Sequence, residues 1–125
     1  MESLYSYRGK VISGKKRGRN LGFPTANIRL HKKVPEGIYV SVVFIKNLKY
    51  MAATFIGSAK TFAESEYKSE SYILDFNRDI YGEWMRVNLV KKLRRNIKFS
   101  TQEELIGQIN KDVQMARDYF KECLI

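Results

Sequence analysis

The sequence predicts a mainly β domain of about six antiparallel strands, a barrel or a sandwich, with one C-terminal α-helix packed on it. Two observations carry that class. Short alternating runs bounded by turn residues recur from the start of the chain to about residue 93, and the period changes only once, near residue 100, to helical spacing. With no strand–helix alternation, a parallel α/β sheet is excluded. At 125 residues, 44% hydrophobic and 29% charged, the chain has the composition of one globular domain with a single core.

Residues 5 to 13 interleave Tyr, Val and Ile with polar positions and read as a first strand. Thr25 to Leu30 is a short extended piece released by Pro24, and His31 to Glu36 is a polar connection. From Gly37, the residues Ile38, Val40, Val42 and Phe44 fall on one face and Tyr39, Ser41, Val43 and Ile45 on the other, which is a strand. Asn47-Leu48 is a tight connection to a second run, Tyr50 to Ile56. Gly57 to Ser69 lacks periodicity and is long enough to be a functional loop. Glu70 to Phe76 alternates again, Asn77-Arg78-Asp79 turns the chain, and Tyr81-Gly82 leads into a last strand ending at Leu93. Trp84 on that strand, with Tyr119 and Phe120, reads as core. Ser100 with Glu103 forms a candidate capping box, after which Leu105, Ile106, Ile109, Val113, Ala116 and Phe120 mark one amphipathic helix over about 101–122.

Gly9 to Ile28 stands apart from these elements. It holds Gly9, Gly14, Gly18 and Gly22, the cations Lys15, Lys16, Arg17 and Arg19, and Pro24. Glycine permits positive φ and close backbone approach, and a loop rich in N–H groups and cations is a phosphate cradle; the plain alternative is a basic hairpin loop. The stretch matches neither the Walker pattern nor the dinucleotide fingerprint. Within it, just after Pro24, Thr25 and Asn27 carry short oxygen-bearing side chains suited to a metal or a phosphate. Net charge is +10, and residues 1 to 34 carry nine Lys or Arg against one acid, a balance that favours polyanions such as a nucleotide or RNA. Cys123 and His31 are the single cysteine and histidine, which excludes a disulfide framework and leaves acid–base work to a carboxylate, Lys or Tyr. No apolar run of membrane-spanning length or export leader is present, so the cytoplasm is the expected compartment.

Residues 18 to 27, Gly-Arg-Asn-Leu-Gly-Phe-Pro-Thr-Ala-Asn, resemble the nucleotide-binding signature of riboflavin kinases. Three further segments resemble the same family in order and spacing: Phe55 to Phe62, Glu70 to Gly82 and Leu93 to Phe99. The resemblance implies one riboflavin kinase-like domain over residues 1–125, folded as a closed six-stranded antiparallel β-barrel with the C-terminal helix packed on it. It implies transfer of the γ-phosphate of MgATP to the ribityl 5′-hydroxyl of riboflavin, giving FMN and ADP. Residue by residue it points to Glu70 as general base and to Thr25 and Asn27 as Mg²⁺ and phosphate ligands. Gly14, Lys15, Arg17 and Arg19 would wrap the phosphates, and Tyr81 would lie against the adenine. Thr61, Phe62 and Arg94 would contact flavin, with the loop from Thr61 to Ser69 as lid. Read without the resemblance, Glu70 is an ordinary solvent-facing strand residue and Tyr81 a turn-flanking core aromatic.

Three positions depart from the family pattern: Lys60 stands where proline is usual, Tyr72 where histidine often follows the glutamate, and Asn96 where an acid is common. Lys60 loosens the loop expected over flavin. In the family this domain usually forms the C-terminal half of a bifunctional protein whose other half, an FAD synthetase, adenylylates FMN. Ser3 to Ser6 resembles the junction, so the chain reads either as a domain of such a protein, with the FAD synthetase as its partner, or as a natural single-domain kinase. The alternative reading is a flavin-sensing, kinase-like regulatory module that binds RNA through its basic surface.

Overall fold

The computed structural model describes residues 3–12, 25–31, 33–58 and 67–123. Six strands and one helix follow in order: β1 (Tyr5–Lys10), β2 (Thr25–Arg29), β3 (Gly37–Ile45), β4 (Leu48–Ser58), β5 (Tyr67–Ile73), β6 (Trp84–Arg94) and α1 (Gln102–Cys123). All pairings are antiparallel, in the order β1-β6-β3-β4-β5-β2. The β3–β4 turn is Lys46-Asn47, one residue earlier than expected, with both residues at positive φ (50° and 67°), as a two-residue hairpin requires. β4 continues through Gly57 and Ser58 and β5 begins at Tyr67, so the strands take in both ends of the segment read as a loop. β5 stops at Ile73, where Leu74 donates to the Met51 carbonyl and Asp75 turns at φ 55°.

The sheet curls, but the barrel is not closed. β1 follows β6 along its length, and even Val11 stays with that edge, exchanging backbone hydrogen bonds with Gly82 and Glu83. Only Ile12 swings across, its N–H donating to the Asn27 carbonyl at 2.9 Å in a lone bridge. Among the described residues, then, β1 and β2 meet through one bridge and side-chain packing rather than a ladder, which corrects the expectation of closure. Gly9 permits that packing, because a Cβ there would lie 2.3 Å from Ile28 Cγ2.

Two hydrophobic layers result. Inside the curl, Ile28, Tyr39, Val43, Ile56, Ile73, Val87 and Leu89 form one cluster. On the outer face, Val40, Val42, Ala53, Tyr72, Leu74 and Val90 pack against Ile109, Val113, Ala116 and Phe120 of α1. β3 lies under both, so all but one of its nine residues are buried. Polar groups inside the curl are paired: Thr54 Oγ1 lies 2.6 Å from Ser41 Oγ and 2.8 Å from Ser71 Oγ, and the Tyr7 hydroxyl meets Ser69. The helix cap falls one residue later than the Ser100–Glu103 box. Thr101 Oγ1 accepts from the Glu104 N–H at 3.1 Å, and the Glu104 carboxylate accepts from the Ser100 N–H at 3.2 Å. Trp84 is not core: it is 56% exposed on the outer face, with the Arg8 guanidinium over its ring. Tyr119 and Phe120 do pack in the outer cluster.

Two outcomes are expected. Gly9→Ala forces Ile28 to move and lowers unfolding stability by about 1–3 kcal/mol in a denaturant titration. Burial raises the Tyr7 phenol above its ordinary value of 10.0, against a smaller opposite effect of its Ser69 hydrogen bond. A raised folded pKa means the unfolded phenol ionises first, so this stabilisation is complete below pH about 10 and declines as pH rises further. Burial raises Tyr39 and Tyr67 in the same direction. The melting temperature is therefore expected to fall above pH about 10, and Tyr7→Phe to fall less steeply over the same range.

Candidate functional site

One rung of the sheet assembles the site. Asn27 stands opposite Glu70, Glu70 opposite Phe55, Phe55 opposite Ile38, and Ile38 opposite Arg94, across β2, β5, β4, β3 and β6. Opposed residues of an antiparallel pair project to the same face. All five side chains therefore share the outer face, the one α1 covers further along. Thr25 opposite Tyr72 and Arg29 opposite Lys68 flank the Asn27–Glu70 pair on that face.

Glu70 is 5% exposed, which removes the reading of a solvent-facing strand residue. Its Oε1 accepts a 2.6 Å hydrogen bond from the Tyr72 hydroxyl, and Lys68 Nζ lies 4.0 Å from Oε2. A carboxylate is tolerated at such depth because a donor and a cation attend it. Asn27 is 1% exposed, and among the described residues its Oδ1 has no hydrogen-bond partner. A buried amide oxygen left without a donor costs about 1–3 kcal/mol.

Beside the rung lies an open cleft of about 1030 Å³, bounded by residues 94–102 and the first turns of α1. Glu70, Lys68 and Tyr72 line one side, and Arg94 and Asn96 another. Phe55, Ile97, Phe99 and Ile106 supply apolar surface. Glu36, Lys98, Ser100, Thr101 and Gln102 add polar and charged groups, so the cleft pairs an apolar wall with a largely polar rim. Asn96, the departure from an acid, donates to the Ile56 carbonyl at 3.2 Å and so ties the 95–99 segment to β4.

Arg94 is held from the helix. Its Nε and Nη2 donate to the two Asp112 oxygens at 2.9 and 2.7 Å, its Nη1 donates to the Arg95 carbonyl at 2.9 Å, and Gln108 also donates to Asp112. Three of the five guanidinium N–H groups are thus engaged. Arg94 borders the cleft as a clamped group rather than a free anchor.

The structure brings Thr25, Asn27 and Glu70 together on adjoining strands and places Arg94 on the same rung, three strands from Glu70. Tyr81 stands apart: it is 66% exposed on the turn before β6, with its N–H bonded to Asp79. That turn adjoins Val11, next to the Ile12 bridge to Asn27. Gly14, Lys15, Arg17, Arg19, Thr61 and Phe62 lie outside the described residues. Sequence reasoning missed Asp112 and Lys68. The signal for Asp112 was present: spaced three residues from Ile109 and four from Ala116, it is a carboxylate set inside the apolar stripe of α1. Lys68 carried none, because its relevance depends on sharing a strand face with Glu70.

Residues 1–120 match the model of the family described as Flavokinase: Riboflavin kinase. The chain belongs to the riboflavin kinase family. It is 40% identical over 120 residues to a bifunctional riboflavin kinase/FMN adenylyltransferase of Listeria monocytogenes, a match covering 93% of this chain and 38% of that protein. This riboflavin kinase-family chain therefore spans about two fifths of such relatives. Among solved structures it resembles riboflavin kinase from Trypanosoma brucei, with TM-score 0.65, 28% identity, and 93% of this chain and 79% of that one covered. It also resembles a Streptococcus pneumoniae structure titled as a macrolide-efflux protein, with TM-score 0.78, 38% identity, and 90% and 38% covered. No helix among the described residues is long and apolar enough to cross a membrane.

Removing one partner of the Arg94–Asp112 pair, whose side chains are 17% and 3% exposed, strands the other charge. Asp112→Ala is expected to lower unfolding stability by about 3 kcal/mol. Asp118→Ala, on the exposed side of the helix, is expected to stay within about 0.5 kcal/mol in the same titration.

Proposed function

We propose that residues 1–125 form one riboflavin kinase domain that transfers the γ-phosphate of MgATP to the ribityl 5′-hydroxyl of riboflavin, giving FMN and ADP. The observation that carries the reading is the buried Asn27–Glu70 pair, an amide oxygen without a partner among the described residues, directly across from an attended carboxylate. Phosphoryl transfer needs positioning and charge neutralisation more than covalent chemistry, and this pair offers an anchor and a proton acceptor side by side.

In this reading Glu70 takes the proton of the attacking hydroxyl. Gly14, Lys15, Arg17 and Arg19 wrap the phosphates, and Tyr81 covers the adenine from the turn beside Val11. The apolar wall of the cleft, Phe55, Ile97, Phe99 and Ile106, receives the isoalloxazine ring, with Arg94, Thr61 and Phe62 contacting flavin. Arg94 keeps two N–H groups and its planar face for that contact.

The residues present fit Mg²⁺. The unpartnered Oδ1 of Asn27 and the Thr25 side chain on the same strand face are hard oxygen donors. Among the described residues no cluster of three or more His, Cys, Asp or Glu competes for a metal, which suits a cation held chiefly through substrate phosphates. Bound there, Mg²⁺ would neutralise charge on the transferring phosphoryl group.

The reading includes a cytoplasmic setting and, in a full-length protein, an FAD synthetase partner domain. The bifunctional names of the relatives support that partner. Nothing in the comparisons favours an RNA-binding module.

Incubated with riboflavin and MgATP and resolved by chromatography, the protein is expected to produce FMN. Glu70→Gln is expected to lower the rate at least about a hundredfold while nucleotide binding, read by calorimetry, is retained. Salt-sensitive RNA binding without FMN formation would overturn the assignment.

A further inference from the structure

Tyr72 and Glu70 lie two positions apart on β5, which sets both on the outer face and brings phenol and carboxylate together. Both are nearly fully buried, at 6% and 5% exposure, and the Tyr72 hydroxyl donates to Glu70 Oε1 at 2.6 Å. The phenol ring does not hang freely. It belongs to the cluster in which Ala53 and Val40 of the sheet meet Ile109 and Val113 of α1, so the helix fixes the ring and the ring fixes the hydroxyl. Lys68 Nζ, at 4.0 Å from Oε2, attracts the carboxylate without a hydrogen bond to it. Both side chains border the cleft.

We infer that Tyr72 is a positioning residue for the phosphoryl transfer: by holding Glu70 Oε1 against the α1 layer, it presents Oε2 as the atom that takes the substrate proton. The inference rests on the proposed kinase reading and deepens it. In the step, the riboflavin hydroxyl oxygen bonds to the γ-phosphorus as the bond from that phosphorus to the β–γ bridging oxygen breaks. ADP leaves with that electron pair, and the hydroxyl proton passes to Oε2 and then to solvent. A carboxylate anchored through one oxygen cannot swivel, so its other oxygen is already aimed when the alcohol arrives, which is where orientation contributes most to rate.

Tyr72→Phe keeps the ring and its packing while deleting the hydroxyl. A hydrogen bond to a charged group carries enough energy that kcat is expected to fall roughly tenfold to a hundredfold, with KM for riboflavin and for ATP each within about twofold. Because Tyr72 acts only through Glu70, adding Tyr72→Phe to Glu70→Gln is expected to produce no further loss, and thermal melting serves as the folding check. A merely structural phenol would instead shift KM and melting together and lower the Glu70→Gln rate again. The inference is overturned if Tyr72→Phe turns over at or above the parent rate, or if the two losses multiply. Failure of the kinase reading looks different, since the parent protein then makes no FMN at all.

Discussion

The register of the β2–β5–β4 ladders is the constraint on which the site depends. A strand's side chains alternate between faces, so a slip of one residue in β5 would turn Glu70 and Tyr72 into the curl and send Ser69 and Ser71 out. The hydroxyls inside oppose that slip. Ser71 joins the chain through Thr54 to Ser41, and Ser69 meets Tyr7 from β1. Small hydroxyl side chains satisfy one another across three strands, and the same register puts Asn27 opposite Glu70. Polar pairing in the interior thus specifies chemistry on the exterior.

The helix supplies the second half of the design. Packing α1 on the outer face buries apolar surface, and it also brings Asp112 down onto Arg94 and walls one side of the cleft. An apolar stripe interrupted by one carboxylate is a weak choice for packing alone, because a buried charge must be paired to be tolerated. The gain lies in placement: two parallel N–H···O bonds fix the guanidinium plane, and the 94–99 segment borders the cleft in a defined position. Asn96, bonded to the Ile56 carbonyl, ties the same segment to β4.

Strand existence and the helix were legible because they rest on local periodicity. The end of β4 and the start of β5 were read short because Gly57 and Lys68 interrupt the apolar pattern, and hydrogen bonding to neighbouring strands overrides that interruption. Trp84 was read as core on residue type, yet it lies on the outer face near the β1 edge, where no helix covers it and Arg8 stacks on it instead. Closure of the barrel was implied by family likeness, whereas among the described residues the strand edges meet at one bridge because Val11 keeps its hydrogen bonds to the β6 side.

By itself the sequence determined the class of fold and the order of its elements, because each is written in short contiguous patterns, while its likeness to a family singled out Thr25, Asn27, Glu70 and Arg94 as candidates. Only the tertiary structure decided that Asn27 stands opposite Glu70, that the Tyr72 hydroxyl donates to that carboxylate, and that Asp112 claims the Arg94 guanidinium. Those facts join residues two to forty-three positions apart. The longer separations are bridged by strand register and the docking of a helix, which depend on the balance of burial over the whole sheet rather than on any local run of residues.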